Sequence, residues 1–285
     1  MKTLSKFVCV LSLALLAGTG FAQNVLDGTF VDENTPNRRV IPYTFLRQAD
    51  VLWSQRVWRV IDLREKENLP FYYPLSQNAN RECLWDIIRG ALKSGELTAY
   101  EDNSLTDLDL TFAVPLTKAK ISEIISPVDS GLTDENGNPL PPVASDITPD
   151  KIRGYMIKED WFFDRQRSVM DVRILGICPM MATVNKNTKQ EDTTGSYNNL
   201  FWIYFPQARP LFAVKEAFNT HSDAERRTYE DLFWKRQFSS YIFQESNVYN
   251  RTLSAVYAGA GTDRLLEGEK IKKKMFDLEH DMWQY

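Results

Sequence analysis

Between Phe45 and Glu67 the chain runs without a glycine or a proline, and only a long regular element makes use of such a stretch. Ala49, Leu52, Trp53, Val57, Val60 and Ile61 recur at the three-and-four spacing of an amphipathic helix, with Leu63 less regular. The spacing predicts a helix of about six turns, roughly 30 to 35 Å long. Gln55, Arg56, Arg59, Arg64, Glu65 and Lys66 fall on its opposite side, where Asp62 is placed to pair with Arg59. Trp53 lies on the apolar stripe, whereas Trp58, five positions on, points about 140° away. Trp53 is therefore expected in the core and Trp58 at a partner surface. Asn68 and Pro70 end the element, and Phe71 to Pro74 is expected to continue extended.

Upstream, Met1 to Ala22 has the form of a secretory signal. Lys2 and Lys6 precede an apolar run from Phe7 to Ala17, and small residues stand at Gly20 and Ala22, so cleavage is expected between Ala22 and Gln23. The run is about 11 residues, well short of the roughly 20 that a spanning helix needs. Thr19 occupies the place where a lipidated cysteine would sit, and Cys9 lies inside the apolar run. Export without a lipid anchor is the expectation. The chain has 34 Lys and Arg against 38 Asp and Glu, and losing Lys2 and Lys6 makes it more acidic, which argues against nucleic acid as a partner.

Residues 23–42 hold turn residues and no helical period, and predict an extended N-terminal arm. Residues 43–285 are then expected to form one domain with a long loop at 127–150, where Pro, Gly and Asn-Gly cluster. A helix is predicted from Arg81 to Lys93, capped by Asn80 and ended at Ser94-Gly95. A short strand is expected over Glu96 to Tyr100, and a helix from Lys118 to Ser126 capped by Thr117. Strands follow at Ile152–Ile157, Ser168–Ile177 and Leu200–Phe205, with a helical turn at Lys158–Arg165 and a hairpin loop at Lys186–Asn199. In the last third, Ser222 with Glu225 reads as a capping box ahead of Tyr229, Leu232, Phe233, Phe238, Tyr241 and Ile242. A final helix is predicted over Arg264–Trp283. The class is α+β: a small mixed or antiparallel sheet with packed helices and a helical C-terminal third.

The run W-x-x-R-V-W-R-V-I-D-L-R-E-K-x-N-x-P-x-Y-Y-P from Trp53 to Pro74 resembles the gliding motility family GldN, called PorN in Porphyromonas-type bacteria. Further likeness lies at 84–100, at IKEDWFFDRQRSVMDVRILGICPM (157–180), at FWIYFPQARP (201–210), at FSSYIFQESNVYNR (238–251) and at EHDMWQY (279–285). The resemblance implies a periplasmic component of the type IX secretion and gliding machinery. It also implies a ring of many copies assembled with an outer-membrane lipoprotein of the GldK/PorK type, and contact with the periplasmic part of a GldM/PorM-type motor protein.

The residues themselves offer no catalytic constellation. His221 and His280 have no metal-pair spacing, G-x-S-x-G and the P-loop are missing, and Gly259-Ala260-Gly261 is followed by Arg264 where a dinucleotide fingerprint needs Gly. No enzyme activity, cofactor, metal ion or small-molecule substrate is expected. A peptidoglycan-binding module or hydrolase, using Trp53, Trp58, Tyr72 and Tyr73, is the competing reading. The candidate protein interface comprises Trp58, Arg59 and Arg64 beside the arm, and Trp234 and Phe238 in the aromatic tail. Cys83 and Cys178 suit either one disulfide or two small buried hydrophobes.

Overall fold

The computed structural model describes residues 38–77, 81–102, 112–129, 143–183, 197–219, 225–249, 251–257 and 261–282. The chain divides after Pro36, and all these residues belong to the second unit. The expected signal segment with its Ala22/Gln23 junction, most of the arm, Asn80, Ser222 and the centre of the 127–150 loop lie outside the described residues.

Along the chain come β1 (Val51–Asp62), α1 (Leu69–Tyr72), α2 (Leu84–Ser94), β2 (Ala99–Tyr100), α3 (Lys118–Ile125), β3 (Val128–Asp129) and β4 (Val143–Ala144). Then follow β5 (Ile152–Asp164), β6 (Val169–Ala182), β7 (Tyr197–Asn199), β8 (Trp202–Tyr204), α4 (Phe205–Val214), α5 (Tyr229–Trp234), β9 (Tyr241–Glu245), α6 (Leu253–Val256) and α7 (Gly261–Met282). One sheet of seven strands carries the order β2-β8-β6-β5-β1-β9, with β7 also on β6, and β3 pairs β4 separately. Every pairing between these strands is antiparallel. The fold is α+β.

The long regular element is a strand, not a helix. β1 lies between β5 and β9, with Trp58 opposite Lys158 and Gln244. Successive side chains of a strand point to opposite faces, and here both faces are covered. Trp58 and Val60 pack with Met156, Cys178, Met180 and Trp202. On the other face Val57 meets Ile242, Leu253, Ile271 and Met275, while Ile61 enters the main core. A strand buried on both sides reads as a continuous apolar run, so the three-and-four spacing arose by coincidence. The β-branched and aromatic content of VLWSQRVWRVID suits a strand. Trp58 is fully buried and Trp53 half-buried, the reverse of the expectation. Asp62 pairs with Arg64 at 2.6 Å rather than with Arg59.

Other expectations differ in the same way. Lys158–Arg165 contains no helical turn; β5 runs on to Asp164 and the hairpin turns at Arg165–Ser168, with Ser168 at φ 52. The Asp164 carboxylate accepts the Gln166 amide at 2.9 Å and the Arg167 Nε at 2.7 Å, which closes the turn. Phe71 and Tyr72, expected to be extended, belong to the short helix Leu69–Tyr72. In the last third Tyr241 and Ile242 belong to β9 rather than to a helix. The capping box there is made by Thr228 and Asp231, so the helix is only Tyr229–Trp234.

Two of the helix ends read from caps stand, whereas α2 begins at Leu84 with Cys83 as its N-cap, not at Arg81 after Asn80. Thr117 accepts the Lys120 amide at the start of α3, and Gly95 ends α2 at φ 83, a left-handed conformation that glycine adopts without a Cβ penalty. Helices α2, α4 and α5 pack one face of the sheet through Leu84, Ile88, Phe205, Phe212, Tyr229 and Phe233. No described helix is long and apolar enough to cross a membrane.

Candidate interaction surface

Arg38 to Arg47 has no regular structure up to the turn at Gln48–Asp50, and it is held against the body by three arginine contacts. Arg38 Nη2 lies 2.7 Å from Asp231 Oδ1, Arg209 Nη2 donates to the Ile41 carbonyl at 2.9 Å, and Arg173 Nη2 donates to the Thr44 carbonyl at 2.5 Å. Tyr43 is thereby fixed. Its ring stacks on Trp234 at 5.7 Å and 21°, and the guanidinium carbon of Arg209 sits 4.0 Å from its centroid. A cation over an aromatic face is attracted to it, most of all where water is excluded.

Arg209 itself is buried and pairs with Glu230 at 2.6 Å. Burial raises the Glu230 carboxyl above its ordinary value, and the Arg209 bonds offset this only in part. Burial also raises the Tyr43 hydroxyl. A cleft of about 380 Å³ opens beside this cluster, lined by Ile41, Tyr43, Val172, Phe205, Phe233 and Trp234 among others. Two of its apolar lining residues are exposed: Trp234 keeps 51% of its surface in water and Ile41 71%. Exposed aromatics around a concave, rigidly braced site are what a protein interface offers.

The five residues read from sequence as interface separate into two groups. Trp58 is in the core, with Lys158 Nζ 5.4 Å from its ring centroid. Arg59 is buried, where its Nε donates to Ser240 Oγ at 2.9 Å and burial lowers its pKa. Phe238 is buried against Phe71 and Phe233. These three face inward because β1 is a central strand and the segment after α5 turns back into the core. Arg64 and Trp234 remain at the surface. Arg64 is held by Asp62 and by the Tyr197 hydroxyl at 2.9 Å, away from the Tyr43 cluster. Tyr43, Arg209 and Glu230 were not singled out from sequence; the signal was an arginine inside the apolar run FWIYFPQARP, which demands a buried acid.

Cys83 and Cys178 are both free and buried, in different core clusters. Burial pushes the Cys83 thiol up to about 12 and also raises that of Cys178 well above its ordinary value. Neither is a reactive thiolate. Among the described residues no group of three or more His, Cys, Asp or Glu could hold a metal ion.

The family model described as gliding motility associated protein GldN matches residues 46–284. The chain belongs to the GldN family. Its match begins at Leu46, three residues after Tyr43, so it covers β1 to α7 and the Arg209, Glu230 and Trp234 side of the cluster. No curated protein matches the sequence.

Proposed function

We propose that this GldN-family chain is a periplasmic structural component of the type IX secretion and gliding motility machinery, acting without a catalytic centre. It forms a ring with an outer-membrane lipoprotein of the GldK/PorK type, which holds it peripherally at that membrane, and it touches the periplasmic part of a GldM/PorM-type motor. The observation that carries this reading is the family match over 46–284. The braced cleft margin of Ile41, Tyr43 and Trp234 supports it as a docking surface for one neighbour, and a ring needs two such faces on each subunit.

Coexpression with the neighbouring envelope lipoprotein, followed by size measurement and electron microscopy, tests the reading. Large closed assemblies are expected. A stable species that ignores the lipoprotein yet binds or cleaves peptidoglycan would favour the glycan reading, although Trp58 is too deeply buried to serve it as a platform.

A further inference from the structure

We infer that a second copy of this chain docks along the exposed flank of α7 through an antiparallel helix pair. The inference stands on α7 alone and does not depend on the lipoprotein.

α7 is attached by a narrow stripe. Gly268, Ile271 and Met275 are its buried residues, and Ile271 and Met275 pack with Val57, Ile242 and Leu253. A Cβ on Gly268 would stand 3.5 Å from the Ile242 carbonyl oxygen, so the helix lies tight on β9 there. Beside this stripe Leu265, Glu269, Lys272 and Phe276 are spaced four, three and four residues apart, which places them in one row along the helix. Leu265 is 54% exposed and Phe276 65%. Phe276 also forms, with Trp161, Met170 and Met275, the wall of a groove of about 370 Å³ whose rim carries Glu269, Lys272, Lys273 and Glu279.

A single exposed leucine is ordinary. The order within this row is more informative. Leu265 and Phe276 share a midpoint between positions 270 and 271, and so do Glu269 and Lys272; the middle of the helix itself lies one position away. A twofold axis at that midpoint sets Leu265 of one copy against Phe276 of the other, and Glu269 against Lys272, each twice over. The helices then run antiparallel with opposed dipoles. Glu269 and Lys272 stand 3.7 Å apart within one chain, so pairing brings two such couples into a ring of alternating charge. A row with one acid and one base is complementary to itself, and suits neither a lipid surface nor a partner of one sign.

Sedimentation of the full mature chain without the lipoprotein tests this. A dimer is expected. Glu269→Lys and Lys272→Glu each weaken it on the order of tenfold by placing like charges together. The double variant Glu269→Lys/Lys272→Glu regains the affinity, because the same couples re-form with signs exchanged. Leu265→Ser and Phe276→Ser also weaken it, with helix content by circular dichroism unchanged since both side chains are exposed. A chain that stays monomeric at its highest soluble concentration overturns the proposal. So does a dimer that is indifferent to the single reversals, or one that the double exchange fails to restore.

Discussion

Arg209 and Glu230 form a 2.6 Å ion pair within 4.0 Å, on the arginine side, of the Tyr43 ring centroid. Both partners are largely out of water, so removing one leaves the other's charge without compensation. Arg209→Ala is expected to cost about 3 to 5 kcal/mol of stability, the usual effect of breaking a buried pair. The double change Arg209→Met/Glu230→Gln should cost clearly less. Urea titrations of the three proteins check this; a double variant as unstable as the single one contradicts it.

Trp58 and Trp53 lie on opposite faces of β1, and only Trp58 is wholly enclosed. Trp58→Ala should therefore lose about 3 to 5 kcal/mol, as large-to-small changes in a packed core do. Trp53→Ala should lose less, since it sheds only part of its contacts. Equal losses in thermal melts would contradict the assignment of faces.

Trp234 has half its surface in water and contributes mainly a stacked pair with Tyr43. Trp234→Ala should cost only about 0.5 to 1.5 kcal/mol beyond its buried area. It should nevertheless weaken capture of the lipoprotein severalfold, measured by interferometry on the folded variant. Unchanged binding would remove this cleft from the docking surface.

The pH dependence of stability follows from shifted groups at both ends of the scale. Asp146 and Asp164 are held below the ordinary carboxylate value, Asp146 by bonds from Lys93 and Ser126, Asp164 by Arg167. In Asp62 and Asp231 burial works in the raising direction, but bonds from Arg64 and from Thr228 and Arg38 outweigh it. A carboxyl whose folded pKa is depressed stabilises above its unfolded value of about 3.9, and that contribution is lost as pH falls through the lower folded value. Glu230, raised by burial, opposes them in part. On the alkaline side Cys83 and Tyr241 are both pushed up to about 12 by burial. Their contribution is complete below the unfolded values of about 8.5 and 10 and is lost as pH rises toward 12. Melting temperature should be level between about pH 5 and 8 and fall on both sides; a maximum at either extreme would contradict these signs.

What could be read from the sequence was local. Thr117 and Gly95 marked the ends of their helices because a cap depends on the few residues next to it. The alternation in Val169 to Ile174 marked β6, and the α+β class followed from strands and helices without regular spacing. The family likeness rested on blocks spread over most of the chain, and the match over 46–284 bears it out.

Whether Val51–Asp62 is helix or strand was decided elsewhere in the chain. Its apolar positions satisfy either period, and the free energy that selects one comes from Trp202 and Cys178 on one face and from Ile242, Leu253 and Ile271 on the other. These lie more than a hundred residues away. The same holds for Arg209, whose partner Glu230 and aromatic neighbour Tyr43 come from separate segments. Contacts between distant segments carry no periodic signature, so the core position of Trp58 and the assembly of the Tyr43 cleft exist only in the folded chain.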